Sequence, residues 1–292
     1  MYRLLITVFA ALFALAPLGA MAQENVRHGL SASGELRFGG FQQGTTETGY
    51  LFGDLTLSFG HGDWAVNLGG FGVVGRLHET YFDFSYQSGL STTRLGFPRP
   101  AYDFVASSAL TEIAPRLALE NIGVSRSRAT VGTMTQTKYL PYGFVFEHAS
   151  DNALIAGSLH MVPDYDTTIA GLGAASTQGP YTYAVAVEAV LIGDDLSWNG
   201  KAKIQGVQDW GNWSVSAFDS AANGAAAAVE MGVQVDFGPD WALSFAGRYD
   251  EDNQRQLQIG ARAQITDSIS ILGSAGCCVG GRNVDFAVGY RS

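Results

Sequence analysis

Five charged side chains are spaced so that they could act together. Arg37 lies in an alternating segment, and Arg94 and Arg99 flank the run Leu95-Gly96-Phe97-Pro98. Asp103 and Glu112 follow in irregular sequence. Guanidinium and carboxylate groups facing each other across a narrow, wet passage make no bonds. They set up a transverse field that selects among charged and dipolar solutes. Arg37, Arg94 and Arg99 against Asp103 and Glu112 are the candidates for that arrangement, provided the elements that carry them enclose water.

Bond-making chemistry finds less support. A hydrolase needs a nucleophile, a base and an orienting group within hydrogen-bond reach. The histidines are His28, His61, His78, His148 and His160, and the sequence holds no Gly-x-Ser-x-Gly elbow. His148 with Asp151 reads as the end of a turn. Cys277 and Cys278 are adjacent, without metal-type spacing or a disulfide framework. In an extended strand adjacent side chains point to opposite faces, so the expectation is two unlinked cysteines. The chain is therefore expected not to be an enzyme, and to need no metal or cofactor.

The N-terminus reads as a secretory signal over residues 1–22. Arg3 gives a short basic region, residues 4–18 are almost unbroken apolar sequence, and Ala20-Met21-Ala22 fits small-x-small cleavage. Residues 23–292 then form one unit. No later stretch is apolar for the roughly 18 residues a spanning helix needs. Yet 47% of the chain is apolar and 15% charged, against roughly 25% charged in ordinary soluble domains. A net charge of −10, one unit deeper once Arg3 is removed, disfavours nucleic acid as a partner.

Period-two alternation runs through most of these residues. Val229, Met231, Val233 and Val235 interleave with Glu230, Gly232 and Gln234, and Leu257, Ile259 and Ala261 interleave with Gln258, Gly260 and Arg262. This is the strand signal. Many apolar-face positions are Gly or Ala, which suits a lipid-facing surface better than a close-packed sandwich core. The expected fold is all-β: a transmembrane antiparallel barrel, apolar outward and polar inward. Strand phase then points Arg37, Arg94, Lys201, Lys203, Arg248 and Arg262 into the lumen.

A direct count gives fifteen strands, but single-chain bacterial barrels have an even number, with short turns at one end. Alternation of tight and loose links requires residues 164–180 to hide a strand, at 167–175, with 176–179 as its turn. The total becomes sixteen, with both termini in the periplasm. Trp64, Trp213 and Trp241 each directly follow a proposed short turn, as a girdle at the membrane–water interface would.

One connection is long. Between a fifth strand at Ser91–Phe97 and a sixth at 142–148, about residues 99–140 form an inward-folding constriction loop. It has helical character over 101–120, interrupted by Pro115. Its later basic residues, Arg116, Arg126, Arg128 and Lys138, could face the lumen or the phosphates of lipopolysaccharide.

The approach Arg94-Leu95-Gly96-Phe97-Pro98-Arg99 resembles the segment entering the constriction loop of α-proteobacterial general porins of the Rhodobacter type. Residues 140–148 and 153–159 are similar to the hairpin after that loop. The chain departs from the family in carrying Arg291 and Ser292 after its last aromatic, Tyr290. The resemblance implies a homotrimeric outer-membrane porin of Gram-negative bacteria, a water-filled channel for small hydrophilic solutes and ions. The alternative is a non-conducting barrel serving as structural anchor or adhesin. Small-residue runs at 69–72 and 184–189 are candidate trimer contacts.

Overall fold

The computed structural model describes residues 28–73, 78–114, 122–136, 138–252, 254–278 and 281–291. The expected signal sequence, residues 1–22, lies outside them. The first half of the barrel comprises β1 (His28–Gln43), β2 (Thr46–His61), β3 (Trp64–Val73), β4 (His78–Ser88), β5 (Ser91–Phe97), β6 (Tyr142–Ala149), β7 (Ala153–Val162) and β8 (Thr167–Gln178). The second half comprises β9 (Tyr181–Ile192), β10 (Asp195–Gln208), β11 (Gly211–Ser220), β12 (Ala225–Phe237), β13 (Trp241–Asp250), β14 (Arg255–Gln264), β15 (Ile269–Cys278) and β16 (Asn283–Arg291). Each strand pairs with its sequence neighbours, and β1 pairs antiparallel with β16 to close a sixteen-stranded barrel. Closure pairs every strand edge, which is what backbone in lipid requires.

The alternation in the sequence becomes the two faces of the wall. On β9, Val185 and Val187 are exposed on the outside, while Ala184, Ala186 and Glu188 are buried inside. On β12, Val229, Met231 and Val233 are exposed outside and Glu230 is buried within. An apolar exterior of this extent suits hydrocarbon, not water.

Aromatic side chains bound this band. Trp64, Trp213 and Trp241 all lie near the end of the barrel that carries His28 and Arg291, here the terminal end. Trp198 lies toward the opposite, loop end of β10, eight positions from Gly206, which is paired with Trp213. At about 3.3 Å per residue that is about 26 Å along the strand. A strand tilt of about 40° brings the height to about 20 Å, close to the apolar band of such barrels.

The strand required by parity is present. β8 pairs with both β7 and β9. It runs to Gln178, so its turn is the pair 179–180 and not 176–179. Gly179 adopts φ +59° there, a conformation that glycine reaches without steric cost.

The long connection departs from the expected helical run over 101–120. Its described part is a 3-10 turn (Ala101–Phe104), helix α1 (Ala109–Ile113), a 3-10 turn (Ile122–Val124) and helix α2 (Arg128–Thr135). It folds into the barrel. Tyr102, Val105 and Ala106 pack on Ala184 and Ala186, Leu110 packs near Ala246, and Ala129 meets Ile169 and Val190. Ala184 and Ala186 therefore face the loop and not a neighbouring barrel. Likewise Gly69 lies under the inward-facing Tyr81 ring, so only alternate members of either small-residue run face outward. Cys277 is disulfide-bonded, which overturns the expectation of two unlinked cysteines. The side chain of Cys278 lies outside the described residues.

Candidate functional site

The barrel encloses a cavity of about 870 Å³ that reaches from the terminal-end residues Asp267 and Ser268 to the underside of α1. A second cavity of about 640 Å³ lies along β1 to β7 and shares Ser33, Thr56 and Arg99 with the first. Arg37, Arg99, Arg126 and Arg262 line the larger one, with Glu35, Asp54, Glu112 and Asp267. Strand phase places Arg37, Glu35, Asp54 and Arg262 there. The loop delivers Arg99, Glu112 and Arg126.

The loop rests on a polar seat along β7 to β13. Glu230 of β12 accepts from Ser108 Oγ at 2.9 Å, and from the backbone N–H groups of Ala109 and, at 3.3 Å, Leu110. Those N–H groups open α1 and have no partner inside the helix, so a carboxylate is well placed there. Arg248 of β13 pairs with the same carboxylate at 2.9 Å, with side-chain exposures of 5% and 0%. Glu188 of β9 treats α2 in the same way. It accepts from Ser127 Oγ, from Arg128 N at 2.7 Å and from Asn199 Nδ2 at 2.9 Å.

Cations complete the seat. Lys201 Nζ donates to the Ser125 carbonyl and Lys203 Nζ to the Ser107 carbonyl, each at 3.0 Å. Ser220 donates to Val124 O at 2.6 Å, and Ser158 Oγ accepts from Ala101 N at 3.1 Å. Close approach needs wall positions without side chains. A Cβ added at Gly232 would stand 2.6 Å from Ala109 Cβ, and one at Gly260 2.7 Å from Ile113 Cγ2. Burial first, then the carboxylates of Glu188 and Asp103, hold the Tyr102 phenol well above its ordinary pKa.

The opposite wall meets the loop largely through apolar side chains, with Glu79 of β4 accepting from Thr130 Oγ1 at 3.2 Å beside them. Phe41, Tyr50, Phe52, Phe71 and Val73 of β1 to β3 form one buried cluster with Ala114, Ile122, Val131 and Met134. Just below, the Arg126 guanidinium lies 4.1 Å from the Phe71 ring centroid and Arg99 lies 4.7 Å from that of Tyr81.

The five proposed site residues all line the two cavities, but not as facing pairs. Arg37 does reach Glu112, through the backbone: Nη1 donates to the Glu112 carbonyl at 3.0 Å, while the Glu35 carboxylate is its ion partner at 3.1 Å. Arg99 pairs with Asp54 and donates to Tyr81 Oη at 2.9 Å. Arg94 sits between Asp83 and Glu147, at 3.7 Å from each. Asp103 is turned into the loop itself, accepting from Ser127 N at 2.8 Å and Thr130 Oγ1 at 2.6 Å. It ties the loop's first half to its second, and the Arg126 guanidinium stands 4.0 Å from it.

The sequence matches no family model and no curated protein. Solved structures do match. A tryptophan variant of Rh. blastica porin aligns over 90% of this chain and 100% of its own, with TM-score 0.70 and 14% sequence identity. A triple mutant of Rhodopseudomonas blastica porin aligns over the same shares with TM-score 0.69 and 13% identity. A structure from work on asymmetric conductivity of engineered proteins does so with TM-score 0.70 and 14% identity. This is a Rhodobacter-type porin fold.

In such a fold the lumen-facing charges divide into two groups that strand phase cannot separate. Lys201, Lys203 and Arg248 do point inward, but the loop covers them. Arg37, Arg99 and Arg126 remain on the cavity. Sequence leaves Arg126 open between lumen and lipopolysaccharide, and no sequence pattern places it on Phe71. Glu188 and Glu230 were missed as loop anchors. Their inward phase was readable, but their partners lie 60 or more positions away in the chain.

Proposed function

We propose that the chain is an outer-membrane porin, a water-filled channel for passive diffusion of small hydrophilic solutes and ions. Both termini lie in the periplasm, lipopolysaccharide surrounds the outer rim, and the assembly is a homotrimer. The observation that carries this reading is the large charged cavity inside a closed barrel, roofed by an inward-folded loop. Water and ions fill such a space, and Arg37, Arg99 and Arg126 at its roof act on what enters. The residues first singled out keep a role in this reading. Arg37, Arg94 and Arg99 supply positive wall charge, while Glu112 and, through Arg126, Asp103 shape the field from the loop.

Reconstitution into planar bilayers tests it. Stepwise conductance is expected, with a reversal potential in a salt gradient that moves toward cation preference when Arg99 and Arg126 are both replaced by Gln. Folded protein that inserts without any conductance, before or after loosening of the loop, would sink the reading.

The second reading, a non-conducting barrel, is favoured by one observation: the apolar cluster between the loop and β1 to β3. Its adhesin form has less support. Apart from the long loop, the links at the loop end have no more than four residues, which leaves little platform outside the membrane.

A further inference from the structure

We infer that α2 is an apolar seal: it closes the aperture between the loop and β1 to β3, so the resting barrel is shut and passage requires α2 to leave that wall. The inference rests on the porin reading and adds to it a closed state.

The argument starts from which side chains meet. Val131 and Met134 of α2 pack with Phe41, Phe52, Phe71 and Val73 in one cluster. All six are between 2% and 8% exposed. Side chains lining an open passage between loop and wall would be wet. These are dry, and they stand at the level where the cavity ends. Phe52 and Phe71 mark the boundary, because both also line the cavity below. Arg37 and Arg126 lie against the cavity side of those two rings, at 6.0 and 4.1 Å from the centroids. The guanidiniums therefore face water on one side of the rings, and the apolar cluster lies on the other. A hydrated ion arriving from below would have to shed water to go further. Hydrophobic constrictions gate by this dewetting.

The same helix is held quite differently at its N-terminus. Glu188 binds Ser127 Oγ and Arg128 N there, and Asp103 binds Ser127 N. Charge-assisted bonds of this kind depend on direction and distance. Contacts between apolar side chains do not, so they separate and re-form without a unique geometry. The first turn of the helix is tied to β9 and, through Thr130 Oγ1 donating to Glu79 at 3.2 Å, to β4, while Val131 and Met134 beyond it rest on β1 to β3 by burial, which is the construction of a leaf on a hinge. The leaf opens when the buried apolar surface is reduced or wetted, while the hinge stays made.

The test compares single-channel recordings of the full chain with two variants. Val131→Ala with Met134→Ala shrinks the seal. Met134→Gln keeps its volume while wetting it, and carries the test if the truncated pair does not fold. Heat-modifiable gel mobility reports that each barrel is folded. The wild type is expected to be mostly closed, with brief openings. Either variant is expected to raise open probability by about tenfold or more, the factor that corresponds to one deleted contact's worth of differential stability. Steady wild-type conductance that neither variant changes overturns the seal and leaves the channel standing. Wild type and variants that are all folded and all silent overturn the channel and the seal together.

Discussion

The wall made by β9 to β13 and the wall made by β1 to β4 face each other across one lumen, and they hold the long loop by different balances of polar and apolar contact. The first uses buried carboxylates and lysines: Glu188, Glu230, Lys201 and Lys203 reach backbone groups at the ends of short helices and turns. The second offers mainly aromatic rings, with Arg99 and Arg126 held beneath them, and fewer polar bonds, from Arg37 to the Glu112 carbonyl, from Asp54 to Arg99 and from Glu79 to Thr130. Polar groups buried under the loop are stable only while every partner is in place, since an orphaned buried group costs its full desolvation. Apolar contact carries no such penalty for partial loss. One wall therefore fixes where the loop sits, and the other decides how tightly it shuts.

The largest effect is expected at the polar wall. Glu230→Ala leaves Arg248 buried without its carboxylate and uncaps α1. A loss of about 3–5 kcal/mol is expected on breaking such a pair, measured by urea unfolding in lipid vesicles. A loss below about 1 kcal/mol, the range of an exposed pair, would remove the distinction between the walls. Next is Gly232→Val, which drives a side chain into Ala109. Overpacking of this kind costs about 1–3 kcal/mol, and limited proteolysis is expected to cut the loop before the barrel unfolds. A loop that stays protected would mean that α1 is not seated on that glycine.

Glu188→Gln is a finer probe. It keeps an acceptor for Arg128 N but removes charge from the N-terminus of α2, worth about 1–2 kcal/mol for a carboxylate sheltered from water. Thermal unfolding should shift modestly downward. If the hinge argument holds, channel recordings should become noisier without a large gain in open probability. The smallest effect on stability belongs to the arginines under the rings. Arg126→Gln is expected to change unfolding by less than about 1 kcal/mol, while the reversal potential moves toward cation preference. A stability loss as large as that at Glu230 would show Arg126 to be a structural anchor, and the two walls would then be alike.

Much of the barrel was legible in the sequence. Residue alternation sorted Arg37, Arg94, Lys201, Lys203, Arg248 and Arg262 correctly onto the inner face, because successive side chains of a strand must point to opposite sides. Parity of turns exposed β8, because an antiparallel barrel whose two ends lie on one side needs an even number of strands. The loop was legible as a long gap and not as a structure. Arg128–Thr135, the sequence of α2, is poor in strong helix formers, holding three threonines, a valine and a glycine. Its N-terminus is satisfied by Ser127 and by a carboxylate 60 residues downstream. Asp103 illustrates the same limit. Its residue type suggested a partner on the wall, but chain folding brought Ser127 and Thr130 to it first.

By itself the sequence determined the strands, their number and the two faces of the wall, because these follow from a period of two and from backbone that must be paired in lipid. Tertiary structure alone decided which inward charges meet water. Height along the barrel and the path of the loop are set by contacts between residues far apart in the chain. Those contacts cover Lys201, Lys203, Glu188 and Glu230 while leaving Arg37, Arg99 and Arg126 on the cavity.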